Sequence, residues 1–220
     1  MRARAPVRRG AWPAPLVGPR PCAGGMFDWG VMATLVRDNV SVLAVAHLPM
    51  TGKTYTAIRG AGAFLDGVRL HPSAKTDLTA ALVGTGQARP GESHETHQRL
   101  GQSVTAMLDA ALVVRVSAPA TVQLLRIASG HMDVFWQFSQ VRSGLLAGAL
   151  LVEEASGTVT DTRGRPWNLT SHDVLASAPG LHAAAVNALS VPAEAPLHAC
   201  LTPGRGLLAT WWSPQGRRAA

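Results

Sequence analysis

The chain has 220 residues, 47% of them hydrophobic, which is enough for one domain with a core of its own. Its formal net charge is +7, but residues 1–20 carry five Arg and no acid, and residues 201–220 carry three Arg and no acid; removing these leaves −1 for residues 21–200. A near-neutral body with basic ends argues against nucleic-acid binding, and no apolar run approaches the ~20 residues a membrane span needs.

Cys22 and Cys200 are the only cysteines and lie far apart in sequence, which fits a reducing, cytoplasmic compartment better than a disulfide scaffold. Arg8-Arg9 is followed by proline-broken text with no apolar h-region, so no signal peptide is expected.

Residues 1–25 hold Pro6, Pro13, Pro15, Pro19 and Pro21, and are expected to be extended or irregular. Regular structure is expected from Met26. Phe27–Arg37 and Val40–His47 read as strands joined at Asp38-Asn39, a hairpin signal. Thr54–Ile58 is a third strand, Arg59–Phe64 a turn, and Asp66-Gly67 the tip of another hairpin, giving an antiparallel meander over about 27–70.

Asp77–Ala81 reads as a capped turn, Leu82–Gly86 as a strand entering a glycine turn, and 87–95 as a polar loop. His97–Asp109 has helical spacing, with Leu100, Val104 and Leu108 on one stripe. Then come a strand (Ala111–Val116), a helix (Ala120–Ser129), an apolar strand (Met132–Phe138), a small-residue helix (Gly144–Ala155), a strand (Gly157–Thr162), a short strand (Val174–Ser177) and a last helix (Leu181–Leu189). The expected boundaries are a Pro/Arg-rich segment at 1–25, a domain at 26–190 and a linker with a basic tail at 191–220, which Trp211-Trp212 could anchor. Strands alternating with helices beside a meander predict an α/β (α+β) layered domain.

Two stretches carry a resemblance. Arg59-Gly60-Ala61-Gly62-Ala63-Phe64-Leu65-Asp66-Gly67 and Ala147-Gly148-Ala149-Leu150-Leu151-Val152-Glu153-Glu154-Ala155, with Asp133-Val134-Phe135-Trp136-Gln137 before the second, are similar to the inositol monophosphatase family. The similarity runs from about Trp12 to Leu189. It implies a sugar-phosphatase-type sandwich of sheets and helices, Mg²⁺-dependent and Li⁺-sensitive phosphomonoester hydrolysis, small phosphorylated ligands and a homodimer. Mg²⁺ wants about six oxygens, and two or three such ions activate water and neutralise phosphate.

The resemblance also locates the ligands, and this sequence departs from them. Only eleven residues precede Trp12, so the family's upstream Glu pair has no counterpart, and the N-terminal layer is expected to be missing. The family's D-P-L-D-G-T segment falls on Ala14-Pro15-Leu16-Val17-Gly18-Pro19, with Ala14 and Val17 in place of both Asp and Pro19 in place of Thr. Its W-D pair falls on Ser143-Gly144, the substrate-binding Glu of some members on Gln137, and the G-T-A turn on Ala118-Pro119-Ala120. Ala118, Pro119, Ala120 and Gln137 would line a substrate pocket.

The expectation is therefore a family scaffold with no catalytic residues, no metal ligands and no cofactor of its own, although Mg²⁺ serves the family. The alternatives are a repurposed metal-free enzyme in the old pocket and residual Mg²⁺-phosphatase activity with borrowed ligands.

Other polar groups compete for a site. His94 and His97, with Glu92 and Glu95, have spacing that could hold a metal at a helix start; a polar loop and cap is the plainer reading. Asp28 reads as a solvated turn residue, and Asp133, Asp161 and Asp173 as turn and cap residues. Glu153 and Glu154 are structural in the family. Gly84-Thr85-Gly86 could cradle an anion. No nucleophile elbow, Walker loop or Cys-His constellation is present. Without an N-terminal layer, one sheet is expected to expose an apolar face, with marginal stability as a monomer.

Overall fold

The computed structural model describes residues 10–15, 28–86, 91–138 and 142–190. The first sheet has six antiparallel strands in sequence order: β1 (Gly10–Pro15), β2 (Val31–Arg37), β3 (Val40–Leu48), β4 (Lys53–Ile58), β5 (Gly62–Leu65) and β6 (Val68–Arg69). Asp38 and Asn39 both take positive φ, as the β2–β3 turn requires.

β1 is an extended part of the segment expected to be extended or irregular, and it brings regular structure in at Gly10, before Met26. Gly10–Pro15 pairs with β2 along its whole length, from Gly10 opposite Val36 to Pro15 opposite Val31. Pro13 and Pro15 share one parity, so both missing donors fall on the same side of the strand. β1 is the edge of the sheet, where a prolyl nitrogen facing outward removes no ladder bond.

The second sheet has the order β10-β11-β9-β7-β8, built from β7 (Leu82–Thr85), β8 (Val113–Val116), β9 (Val134–Gln137), β10 (Thr158–Thr160) and β11 (Val174–Ser177). β7 is parallel to both β8 and β9, while β10 and β11 run antiparallel. Four α-helices lie among the described residues: α1 (His94–Ala110), α2 (Ala120–Ala128), α3 (Arg142–Glu154) and α4 (His182–Ser190). α2 and α3 lie between the sheets, and α1 and α4 cover the far face of the second one.

Two cores follow from this layering. Alternate residues of β9 feed both: Phe135 joins the core shared with α2, α3 and the first sheet, while Val134 and Trp136 join the core under α1 and α4. Because α2 and α3 have sheet on both sides, they are apolar nearly all round. They also lie close together: a Cβ on Gly148 would fall 2.5 Å from Leu124 Cδ1 and 2.6 Å from its Cβ.

α1 begins three residues earlier than its apolar spacing suggests, because Ser93 caps it by accepting from Thr96 N at 3.2 Å. Its buried residues are Ser103 and Met107, with Leu100 and Val104 half-buried and Leu108 61% exposed. Leu108 drifts off the 3.6-residue face that Met107 completes.

Several acids do more than cap turns. The buried Asp133 accepts from Ser73 Oγ, from Lys75 Nζ at 2.8 Å and from Leu82 N at 2.7 Å, pinning the 70s loop to the second sheet. Asp28, with 38% of its side chain exposed, also pairs with Arg126 of α2 at 3.0 Å. Asp161 does hold its own turn, accepting from Arg163 N and Arg165 N at 2.9 Å. Glu154 accepts from Gly60 N and Gly62 N, and Glu153 pairs with Arg59, so α3 clamps the RGAG turn. The outer face of the first sheet leaves Val31, Leu35 and Ile58 exposed.

Candidate functional site

The route of the chain marks one edge of the second sheet. From β7 it passes through α1 to β8 on one side, then through α2 to β9 on the other side. β7 is thus a topological switch point, and the crevice lies beyond the carboxyl ends of the parallel strands.

Residues at this edge come from four segments. Gly86 follows β7 and its N–H bonds Trp136 O at 3.3 Å. Ser117 follows β8 and its N–H bonds Thr85 O at 3.1 Å. Gln137 ends β9. Ala118 and Pro119 lead into α2 at Ala120, where Pro119 occupies the N-cap position without a capping side-chain bond. Thr121 Oγ1 donates to Gly144 O, tying the first turn of α2 to that of α3. The structure therefore brings Ala118, Pro119, Ala120, Gln137 and Gly144 to one end of the domain. Ala14 lies in β1, which runs beside α3. Val17, Gly18 and Pro19 lie outside the described residues.

Gln137 is 5% exposed, and its Oε1 has no hydrogen-bond partner among the described residues. The carboxamide lies over Gly86, where a Cβ would stand 2.4 Å from Oε1. Ser117 Oγ is buried and likewise unpartnered. Ser117 does not stand out in the sequence, where its only signal is adjacency to Ala118; Gly86 figures there only in the Gly84-Thr85-Gly86 turn. In that turn the sheet uses the Gly86 N–H, and Thr85 Oγ1 donates to Trp136 O at 2.8 Å, so neither is free for an anion.

Arg99 is a cation near this edge. It donates to Asp173 at 3.2 Å and Thr162 at 3.3 Å and stacks 4.2 Å from the centre of the Phe138 ring, so its charge is engaged. His94 and His97 sit exposed on the first turn of α1, and no group of three His, Cys, Asp or Glu that could hold a metal occurs among the described residues.

Further along the second sheet, Ser177 Oγ lies 2.8 Å from His182 Nδ1, and Thr160 Oγ1 lies 3.1 Å from its Nε2. Burial lowers the His182 pKa, so the ring is neutral between two hydroxyls. Ser177 is fully buried, so this pair braces β11 against α4 and β10 and has no path to a substrate.

A model of the inositol monophosphatase family matches residues 25–194. The chain belongs to the inositol monophosphatase family. An inositol-1-monophosphatase of Rhizobium meliloti is 32% identical over 150 residues, covering 68% of this chain and 56% of that protein. Inositol monophosphatase 2 of Rattus norvegicus is 37% identical over 134 residues, covering 60% and 46%. The crystal structure of the extragenic suppressor protein suhB from Bartonella henselae superposes with a TM-score of 0.73 at 25% identity, over 79% of this chain and 66% of that one. The chain spans about half the length of the curated relatives it matches.

Membership in the inositol monophosphatase family raises the question of metal. Mg²⁺ requires about six oxygens, largely carboxylate and water. Of the positions expected from the resemblance, Gly144 offers a bare Cα and Gln137 one neutral carboxamide oxygen. These two described positions supply no carboxylate to Mg²⁺.

Proposed function

We propose that this chain is an inositol-monophosphatase-family scaffold, built for inositol, sugar or nucleotide phosphates, that does not release phosphate with Mg²⁺. The resemblance carries the reading: it puts Ala14 and Gly144 where the family has metal-binding Asp, and Gln137 where some members have a substrate-binding Glu. Loss of a single oxyanion-type stabiliser lowers rates by roughly 10²–10³, and loss of the ions that neutralise phosphate removes more. Two copies are expected to pair in a reducing compartment; Leu112, Val113 and Val116 on the exposed edge at β8 supply an apolar surface for it.

The test is a Mg²⁺ titration of the full chain, read by melting temperature and by phosphate release from a panel of inositol, sugar and nucleotide monophosphates. The expected result is no thermal shift and no release. Mg²⁺-dependent release would overturn the reading.

A further inference from the structure

The outer face of the first sheet is made of three cross-strand rows: Leu35–Leu43–Ile58, Ala33–Val45–Thr56–Phe64 and Val31–His47–Thr54. None of these positions is Asp, Glu, Lys or Arg, and Val31 and Ile58 are 51% and 53% exposed. A sheet face that meets water is normally polar, whereas strands apolar on both faces are strands covered on both faces. Here α2 and α3 cover the inner face, and no described residue buries Val31, Leu35 or Ile58 on the outer one.

The chain itself holds a matching segment. It continues for 30 residues past Ser190, and within them Gly206–Pro214 is uncharged and carries Leu207, Leu208, Trp211 and Trp212. Arg205 and Arg217 bracket it and would keep its ends in water. α4 ends on the far side of the second sheet, so the outer face of the first lies roughly 40 Å away across the intervening layers. Residues 191–206 can span roughly 50 Å when extended, and Pro192, Pro196 and Pro203 disfavour helix there. A second copy suits this face less well. The β8 edge, in the other sheet, already offers a surface for self-pairing, and a second self-contact would extend a pair into tetramers or an open-ended array. A tethered segment meets the face at an effective concentration near millimolar and needs no assembly.

We propose that Gly206–Pro214 docks on the outer face of the first sheet of its own chain, setting its leucines and tryptophans against the Leu43 and Val45 rows. The docking is independent of any chemistry at the edge of the second sheet.

The experiment uses the full 220-residue chain with Cys22 and Cys200 changed to Ser. One variant adds Thr56→Cys and Thr210→Cys; the other adds Asp109→Cys and Thr210→Cys, Asp109 being exposed on α1 in the layer where the segment starts. Both are oxidised in dilute solution, and the disulfides are mapped by mass spectrometry. The Thr56/Thr210 pair is expected to close within one chain at least about tenfold faster than the Asp109/Thr210 pair. In the second arm, trypsin cleavage after Arg205 is expected to quicken about tenfold in Val45→Glu, because cleavage follows the population of the undocked segment. Circular dichroism checks the fold; if Val45→Glu does not fold, Trp211→Ser with Trp212→Ser, which leaves the sheet unaltered, decides by the same assay. Equal or faster closure at Asp109, a Thr56/Thr210 disulfide formed only between chains, or cleavage after Arg205 that no folded variant quickens would each overturn the proposal; the interchain disulfide would do so by making a second copy the occupant.

Discussion

Gly148 and Gly101 are both helix-interior glycines, and replacing each by Ala should move stability in opposite directions. In α1, a Cβ on the exposed Gly101 meets nothing within 4 Å. Gly101→Ala therefore gains only the helical preference of Ala, about 0.8–1.0 kcal/mol. In α3, the same methyl on Gly148 would lie 2.5 Å from Leu124 Cδ1 and 2.6 Å from Leu124 Cβ. Leu124 Cδ1 can rotate away, but its Cβ is fixed to the α2 backbone, so the two helices must separate. Leu124 is fully buried between the sheets, which leaves little room for that movement. Overpacking of this kind costs about 1–3 kcal/mol, and the upper end applies where a backbone must shift. Subtracting the helical gain leaves a net loss of about 2 kcal/mol for Gly148→Ala. At about 2–4 °C per kcal/mol for a domain of this size, the melting temperature falls by about 4–8 °C, while Gly101→Ala raises it by about 2–4 °C. Differential scanning calorimetry of both variants beside the unaltered chain decides. A Gly148→Ala protein that melts at or above the unaltered chain would refute the close crossing of α2 and α3.

Burial raises the Asp133 pKa, but the hydrogen bonds from Lys75, Ser73 and Leu82 N outweigh it and hold the carboxyl below its usual value. A depressed folded pKa means stability that is present above the unfolded value near 3.9 and lost as pH falls through the folded one. Asp133→Asn removes this linkage and costs about 2–3 kcal/mol, measured by urea unfolding at neutral pH, and a shallower acid limb is expected in the variant, with Asp161 still contributing. For His182, burial depresses the folded pKa below the unfolded ~6.5, so stability holds above ~6.5 and declines as pH falls toward the folded value. Melting curves between pH 7 and 5 should show the decline, and replacing His182 with Gln should flatten it.

The meander was legible from local chemistry. Asp38-Asn39 and Asp66-Gly67 take positive φ, and the strands between them alternate. The small-residue helix was legible because Ala147, Gly148 and Ala149 only make sense where another helix comes close. Three features were not. Pro13 and Pro15 argue against a strand until β1 is known to be an edge, a property of the sheet and not of the segment. Leu108 joins an apolar stripe in the sequence, yet Met107 takes the buried position once α1 docks. Asp133 reads as a turn residue because its partners Ser73 and Lys75 lie some 60 residues away.

The sequence by itself determined the family, through the RGAGAFLDG and AGALLVEEA stretches, and the residue types at Ala14, Gln137 and Gly144, because identity along a chain needs no folding to be read. Tertiary structure alone decided that Gly86, Ser117 and Gln137 share one edge, and that the Gln137 carboxamide oxygen is buried there without a described donor. Burial and hydrogen-bond satisfaction are properties of what surrounds an atom, and here the surroundings come from strands about 20 to 50 residues apart in the chain.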